Sequence, residues 1–172
     1  MGMNNEDGLR ASPRPLLRRV AARVVLVSDE DHVCLISARD PGNADASEFW
    51  FTPGGGAEPG ETLEEAARRE VLEEVGHTLE DLGPVVWKRS AAFAFDDSTY
   101  VQDESFFVVR TTRFDPRRVA WTDIESRSTT GWRWWPVSEL MDPDVVVYPE
   151  RLGELLAEWL RDGPPDKPRR IT

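Results

Sequence analysis

Apolar residues recur in two different rhythms along this chain, and the rhythm separates strands from helices. In the stretch VAARVVLVSDEDHVCLISARD, β-branched and aliphatic runs over Arg19–Ser28 and Val33–Arg39 flank the polar turn DEDH, which predicts a β-hairpin. The segment EFWFTP predicts a short third strand that Pro53 ends. From Thr62 to Val75 the spacing changes to three and four: Leu63, Ala66, Ala67, Val71 and Val75 make one stripe of a helix. Thr62 opens it with the capping-box pattern T-L-E-E, in which Glu65 reaches back to the Thr62 amide. Two further strands surround the turn DDST, between Gly83 and Phe114. WRWWPV predicts another strand, PVSELM a short helix, and YPERLGELLAEWLRDG a terminal helix with Leu152, Leu155, Leu156, Trp159 and Leu160 on one stripe. Alternation in GWRWWPV puts Trp132 and Trp134 on one face of the sheet and Trp135 on the other.

Strands interleaved with a few helices imply an α/β (α+β) sandwich. At 172 residues the chain is read as one domain over 16–162, after a polar, disordered leader (1–15) and before a flexible tail (163–172). Apolar residues make up 40% and charged residues 31%, an ordinary globular balance. The net charge of −11 argues against partners that need basic patches, so neither a nucleic acid polymer nor a membrane surface is expected. No run approaches the roughly 18 apolar residues that cross a bilayer, and no signal-peptide pattern opens the chain. The single cysteine, Cys34, lies in the apolar run VCLIS and reads as a buried, inert thiol. A cytoplasmic setting is the expectation.

Charge changes the picture most within the first long helix. Glu70, Glu73 and Glu74 stand at i, i+3 and i+4, close enough to repel. Carboxylates so crowded take up protons unless cations come between them. Hard divalent ions accept carboxylate oxygens and leave room for substrate phosphates. Immediately before the helix, Pro53-Gly54-Gly55-Gly56 lets backbone approach a ligand closely.

The joint spacing is G-x5-E-x7-R-E-V-x-E-E-x-G, running from Gly55 through Glu61, Arg69, Glu70, Val71, Glu73 and Glu74 to Gly76. It resembles the Nudix box, with His77 where the family has a closing aliphatic residue. The resemblance implies a Nudix-type α/β/α sandwich with a mixed β-sheet, and Mg²⁺ as cofactor with Mn²⁺ as a substitute. Glu70, Glu73 and Glu74 would be metal ligands, joined by the Gly54 carbonyl and by Glu104 from a later strand. Arg69 would pair with Glu61 and orient the helix face around Glu70. Arg39, Gly55 and Gln102 would contact substrate, Gln102 sharing a strand face with Glu104. The activity implied is pyrophosphohydrolysis of a nucleoside diphosphate linked to another moiety: a nucleotide, a nucleotide sugar or an ADP-ribose type compound. The alternative is a non-catalytic Nudix-fold module that binds a nucleotide or acts as a regulator. Homodimers also fall within what the resemblance implies.

Overall fold

A computed structural model describes residues 14–142 and 144–172; the leader expected over 1–15 lies almost wholly outside them. The chain runs β1 (Leu16–Ser28), β2 (His32–Ala38), β3 (Phe49–Phe51), β4 (Gly54–Gly56), α1 (Leu63–Val75), β5 (Val85–Phe95) and β6 (Ser98–Thr111). It continues through α2 (Asp123–Ser128), β7 (Thr129–Pro136), a 3₁₀ turn (Val137–Met141), β8 (Val147–Tyr148), α3 (Leu152–Asp162) and β9 (Arg169–Arg170). One sheet holds all nine strands in the order β8-β3-β2-β1-β6-β5-β9, with β4 added on β1 and β7 on β2. The central β1–β6 pair is parallel and its neighbours β2 and β5 are antiparallel, so the sheet is mixed.

Period-two alternation divides the core in two. Val25, Val27, Val33, Leu35, Phe106 and Trp135 point to one face, where Leu152 and Leu156 of α3 and Leu140 of the 3₁₀ turn cover them. Val24, Leu26, Cys34, Ile36 and Phe107 point to the other, under Ala66, Ala67, Val71 and Val75 of α1. Trp132 and Trp134 pack on the α1 side and Trp135 on the α3 side, the split that alternation predicts. The result is an α/β/α sandwich in which every strand of the sheet's centre is covered twice. Cys34 is sealed in this interior, and burial pushes its thiol up to about 12, well outside the nucleophilic range.

Three features depart from the pattern reading. Gly54–Gly56, outside every element the pattern predicts, is a strand, paired antiparallel with Ala21–Arg23 of β1. Glycine carries no side-chain rhythm, so nothing local announces this. A further helix, α2, precedes β7. Finally, the segment 163–172 expected to fray is docked. Arg169 and Arg170 pair in parallel with Trp87 and Lys88, the Ile171 amide donates to the Lys88 carbonyl at 2.9 Å, and Ile171 packs on the α3-side core.

Burial separates two leucines of the same chemistry. Leu156 is fully enclosed, whereas Leu72 on the outer face of α1 is 43% exposed. Leu156→Ala is therefore expected to cost about 2–5 kcal/mol of unfolding free energy and Leu72→Ala under about 1 kcal/mol, measured by urea denaturation.

Candidate active site

Helix α1 builds most of the site. Thr62 caps it, accepting from the Glu65 amide while the Glu65 carboxylate accepts from the Thr62 amide at 2.8 Å. Gly76 ends it in the left-handed region at φ 70°, where an L side chain would be strained. Burying the stripe Ala66-Ala67-Val71-Val75 fixes the rotation of the helix, and that rotation carries Glu70 and Glu74, one turn apart, inward with it. Their relative exposures are only 8% and 5%.

Strand β4 lies against these two carboxylates. The Gly54 amide donates to Glu74 Oε2 at 2.7 Å. A Cβ on Gly55 would sit 2.6 Å from Glu70 Oε1, so any larger residue there would displace the carboxylate. Arg69 closes the other side. Its Nε and Nη2 fork onto Glu61 at 2.8 and 2.9 Å, and Nη1 donates to Glu70 Oε1 at 2.8 Å. Nη2 also reaches the Gly56 carbonyl at 3.0 Å, which ties the helix to β4.

The third carboxylate comes from α2. Glu125 belongs to a second capping box: Thr122 accepts from the Glu125 amide, and Glu125 Oε2 accepts from the Thr122 amide at 2.7 Å. Carboxylate oxygens of Glu70, Glu74 and Glu125 all lie within 4.8 Å of one another. Beside them Trp132 donates from Nε1 to the Glu74 carbonyl at 3.2 Å, and Trp121 leans on Trp132 with ring centroids 5.4 Å apart. The amides of Arg117, Val119 and Ala120 strap the last carbonyls of α1, at Val75 and Glu73.

Electrostatics follows from this packing. Burial, and then the neighbouring charge of Glu70, hold the Glu74 carboxyl well above the usual range. Burial also raises Glu70, against the pull of Arg69. Glu61 moves the opposite way, held down to about 2 by its hydrogen bonds from Arg69. Two carboxyls raised on the helix and one lowered in the loop before it is a division of labour: Glu61 anchors the arginine, while Glu70 and Glu74 lack a full counter-charge.

Several expected contacts are placed otherwise. Glu73 does not join the acid cluster; its side chain is 36% exposed and, among the described residues, its only ionic contact is Arg69 at 3.4 Å. The Gly54 carbonyl, expected on a metal, accepts from the Arg23 guanidinium, and Gly54 serves Glu74 through its amide instead. Glu104 is not a ligand of this cluster. It sits on the α3-side face with Phe106, with Arg23 on one oxygen at 3.0 Å and Arg89 on the other at 2.7 Å. Burial pushes its carboxyl up, but these two guanidiniums more than offset that and hold it below the usual range. Gln102 is 1% exposed and spends both amide ends on Arg19 and Glu104, so it is closed to substrate. Arg39 is exposed at the end of β2; its amide donates to the Ser128 carbonyl of α2. His77 replaces the aliphatic residue by lying flat on Phe114 at 4.2 Å, with Nε2 3.1 Å from the Thr111 hydroxyl.

Glu125 is the member of this carboxylate cluster that the pattern reading did not single out. The signal was present: T-D-I-E at Thr122–Glu125 repeats the T-x-x-E spacing that marks the start of α1.

Known proteins bear on this geometry. A curated relative, nucleoside triphosphatase NudI of Enterobacter sp. (strain 638), is 55% identical over 38 residues, 22% of this chain and 27% of that protein. A putative 8-oxo-dGTP diphosphatase of Bacillus subtilis (strain 168) is 38% identical over 56 residues, 33% of this chain and 34% of that one. The chain thus matches only about a quarter to a third of the length of these relatives. Among solved structures, a MutT NUDIX hydrolase from Burkholderia pseudomallei has the same fold, with a TM-score of 0.58 at 22% identity over 80% of this chain and 95% of that one. The family model of the NUDIX domain runs from residue 17 to residue 156, through the glycine strand, α1 and α2 alike, and on that match the chain belongs to the NUDIX domain family.

Proposed function

We propose that this protein is a divalent-metal-dependent pyrophosphohydrolase, working with Mg²⁺ and accepting Mn²⁺. Its substrate would be a nucleoside diphosphate linked to another moiety, cleaved by water attack on phosphorus. The observation that carries this reading is the meeting of Glu70, Glu74 and Glu125, whose oxygens share a space of under 5 Å with two of the three nearly excluded from water. Their donor chemistry suits the ion: hard oxygen ligands, an excess of negative charge, and carboxyls of Glu70 and Glu74 raised by burial and then by neighbouring carboxylates. A bound divalent ion would polarise the phosphoryl oxygens and acidify water.

The chain's own residues set the stage for that chemistry. Glu70 and Glu74 would hold the ion, one oriented by Arg69 and the other by the Gly54 amide. Glu61 keeps Arg69 from drifting off Glu70. Glu125 is the least buried of the three carboxylates, and one of its oxygens is fixed by its own capping box. We assign its other oxygen to accept the proton of the attacking water. The tilted Trp121–Trp132 pair packs beside Glu74 and lowers the local dielectric, which strengthens each of these interactions. A purely binding module would have no use for an intact set of buried carboxylates, since each costs stability in the absence of positive charge.

Two outcomes test this. Glu74→Gln keeps the oxygen that accepts from Gly54 and removes the charge. It should lower phosphate release from nucleotide substrates in Mg²⁺ by roughly 100-fold or more, with the folded state intact by circular dichroism. Full activity in that variant would overturn the metal assignment.

The second outcome concerns pH. A carboxyl whose folded pKa is raised binds more protons folded than unfolded, so in EDTA its contribution to stability falls as pH rises above the unfolded value. At pH 8 in EDTA, wild type should therefore melt below Glu74→Gln, and the gap should narrow as pH falls toward 6. Adding Mg²⁺ should raise the melting temperature of wild type and leave that of the variant nearly unchanged.

A further inference from the structure

A second charged cluster lies on the opposite side of β4, and no role described above uses it. Arg19 and Arg23 on β1, Gln102 and Glu104 on β6, and Arg89 on β5 occupy one face of three adjacent strands. Glu104 is 2% exposed, with Arg23 and Arg89 on separate oxygens. Gln102 donates to Glu104 at 3.0 Å and accepts from Arg19 through its carbonyl, so the third guanidinium is hung from the same buried scaffold. Three guanidiniums against one carboxylate leave a local charge of about +2 in a chain whose net charge is −11.

Neutralising Glu104 does not account for this. One guanidinium offsets one carboxylate, and a buried ion pair of this kind adds little stability over apolar residues of the same volume. What the scaffold does achieve is orientation. Among the described residues, Arg23 Nη2, Arg89 Nη1 and both terminal nitrogens of Arg19 have no hydrogen-bond partner in the protein, and neither Arg23 Nη2 nor Arg89 Nη1 is sealed from water. Tyr100 supports Arg19 from below at 4.8 Å, and Phe93, 38% exposed, stacks on Tyr100 at 5.5 Å.

The link to the acid cluster is β4. Gly55 turns its bare Cα toward Glu70, and a Cβ on Gly56 would lie 3.1 Å from Arg19 Cδ on the other side. Arg23 donates to the Gly54 carbonyl while the Gly54 amide donates to Glu74. A strand without side chains thus touches Glu70 and Glu74 as well as Arg19 and Arg23.

We propose that Arg19, Arg23 and Arg89 form a phosphate subsite for a substrate that carries a further phosphate beyond the anhydride held at the carboxylates. This assigns the substrate class as nucleoside triphosphates or longer polyphosphates over diphosphates capped by a sugar. A terminal phosphate carries a charge of about −2, which matches the excess here, and guanidinium forks suit its geometry. A sugar cap presents no such dianion. The substrate assignment rests on the hydrolase reading above; the anion subsite itself does not.

The test therefore has two arms. In the first, inorganic tripolyphosphate is titrated into the full chain in EDTA by calorimetry. Arg19→Gln and Arg89→Gln should each weaken binding about tenfold or more, and Arg161→Gln, an exposed arginine on α3 paired to Asp162, under about twofold. No binding by wild type, or equal losses in all three variants, would overturn the subsite. In the second arm, turnover in Mg²⁺ is compared for a nucleoside triphosphate and a nucleoside diphosphate sugar of the same base. The two site variants should raise KM for the triphosphate about tenfold at little change in kcat, leaving KM for the sugar substrate within about twofold. Equal effects on both substrates, or on neither, would sink the assignment of class. If wild type turned over neither substrate while the binding pattern held, the subsite would stand and the hydrolase reading would fall.

Discussion

Glu70 and Glu74 are carried almost out of water on one turn of helix, beside each other and beside Glu125. Keeping carboxylates there is costly, and the surrounding structure is arranged around that cost. The helix that holds them is capped at one end and ended by glycine at the other, and its outer carbonyls are strapped by the loop before α2. The strand facing them has no side chains. Arg69 is locked between Glu61, Glu70 and the Gly56 carbonyl, so the positive charge nearest the pair cannot swing away. Apolar burial on both sheet faces supplies the stability against which this arrangement is set.

The sheet works as a partition. Because side chains alternate strictly, residues two apart share a chemical environment and neighbours do not. On β6, Phe106 enters the α3-side core and Phe107 the α1-side core. Extending the same parity back along the strand sends Gln102 and Glu104 to the side away from α1. That single fact removes Glu104 from the carboxylate cluster and gives it to the arginines. Opposite charges are thus sorted onto opposite faces, with β4 as the thin place between them.

Much of this was legible in the sequence, and the divide between what was and was not is physical. Helix α1, its cap and its acidic face follow from interactions within four residues, so a T-x-x-E and a three-four spacing suffice to locate them. The division of Trp132, Trp134 and Trp135 between two faces follows equally from alternation. Alternation does not say which face a helix will cover, so it does not tell which charged cluster Glu104 joins. Strand β4 exists because Ala21–Arg23 offers it a ladder, and β9 because Lys88 offers a carbonyl; both partners are distant in sequence. Glu125 sits on a six-residue helix too short to show a periodic stripe, and only its cap betrays it.

The same reasoning explains why the glycines of β4 are less replaceable than the acids they separate. Carboxylate can be exchanged for amide with volume and hydrogen bonding nearly preserved, so loss of charge and loss of fold are separable at Glu70 or Glu74. At Gly54, an added Cβ would meet the Ala22 carbonyl oxygen at 2.1 Å, and φ of 130° already excludes ordinary L residues. At Gly55 it would displace Glu70, and at Gly56 it would press on Arg19. Three consecutive positions with almost no volume therefore bring backbone amide, carboxylate and guanidinium within reach of one another. An ordinary strand would have put two layers of side chains between those charges, and each cluster would then have been solvated on its own.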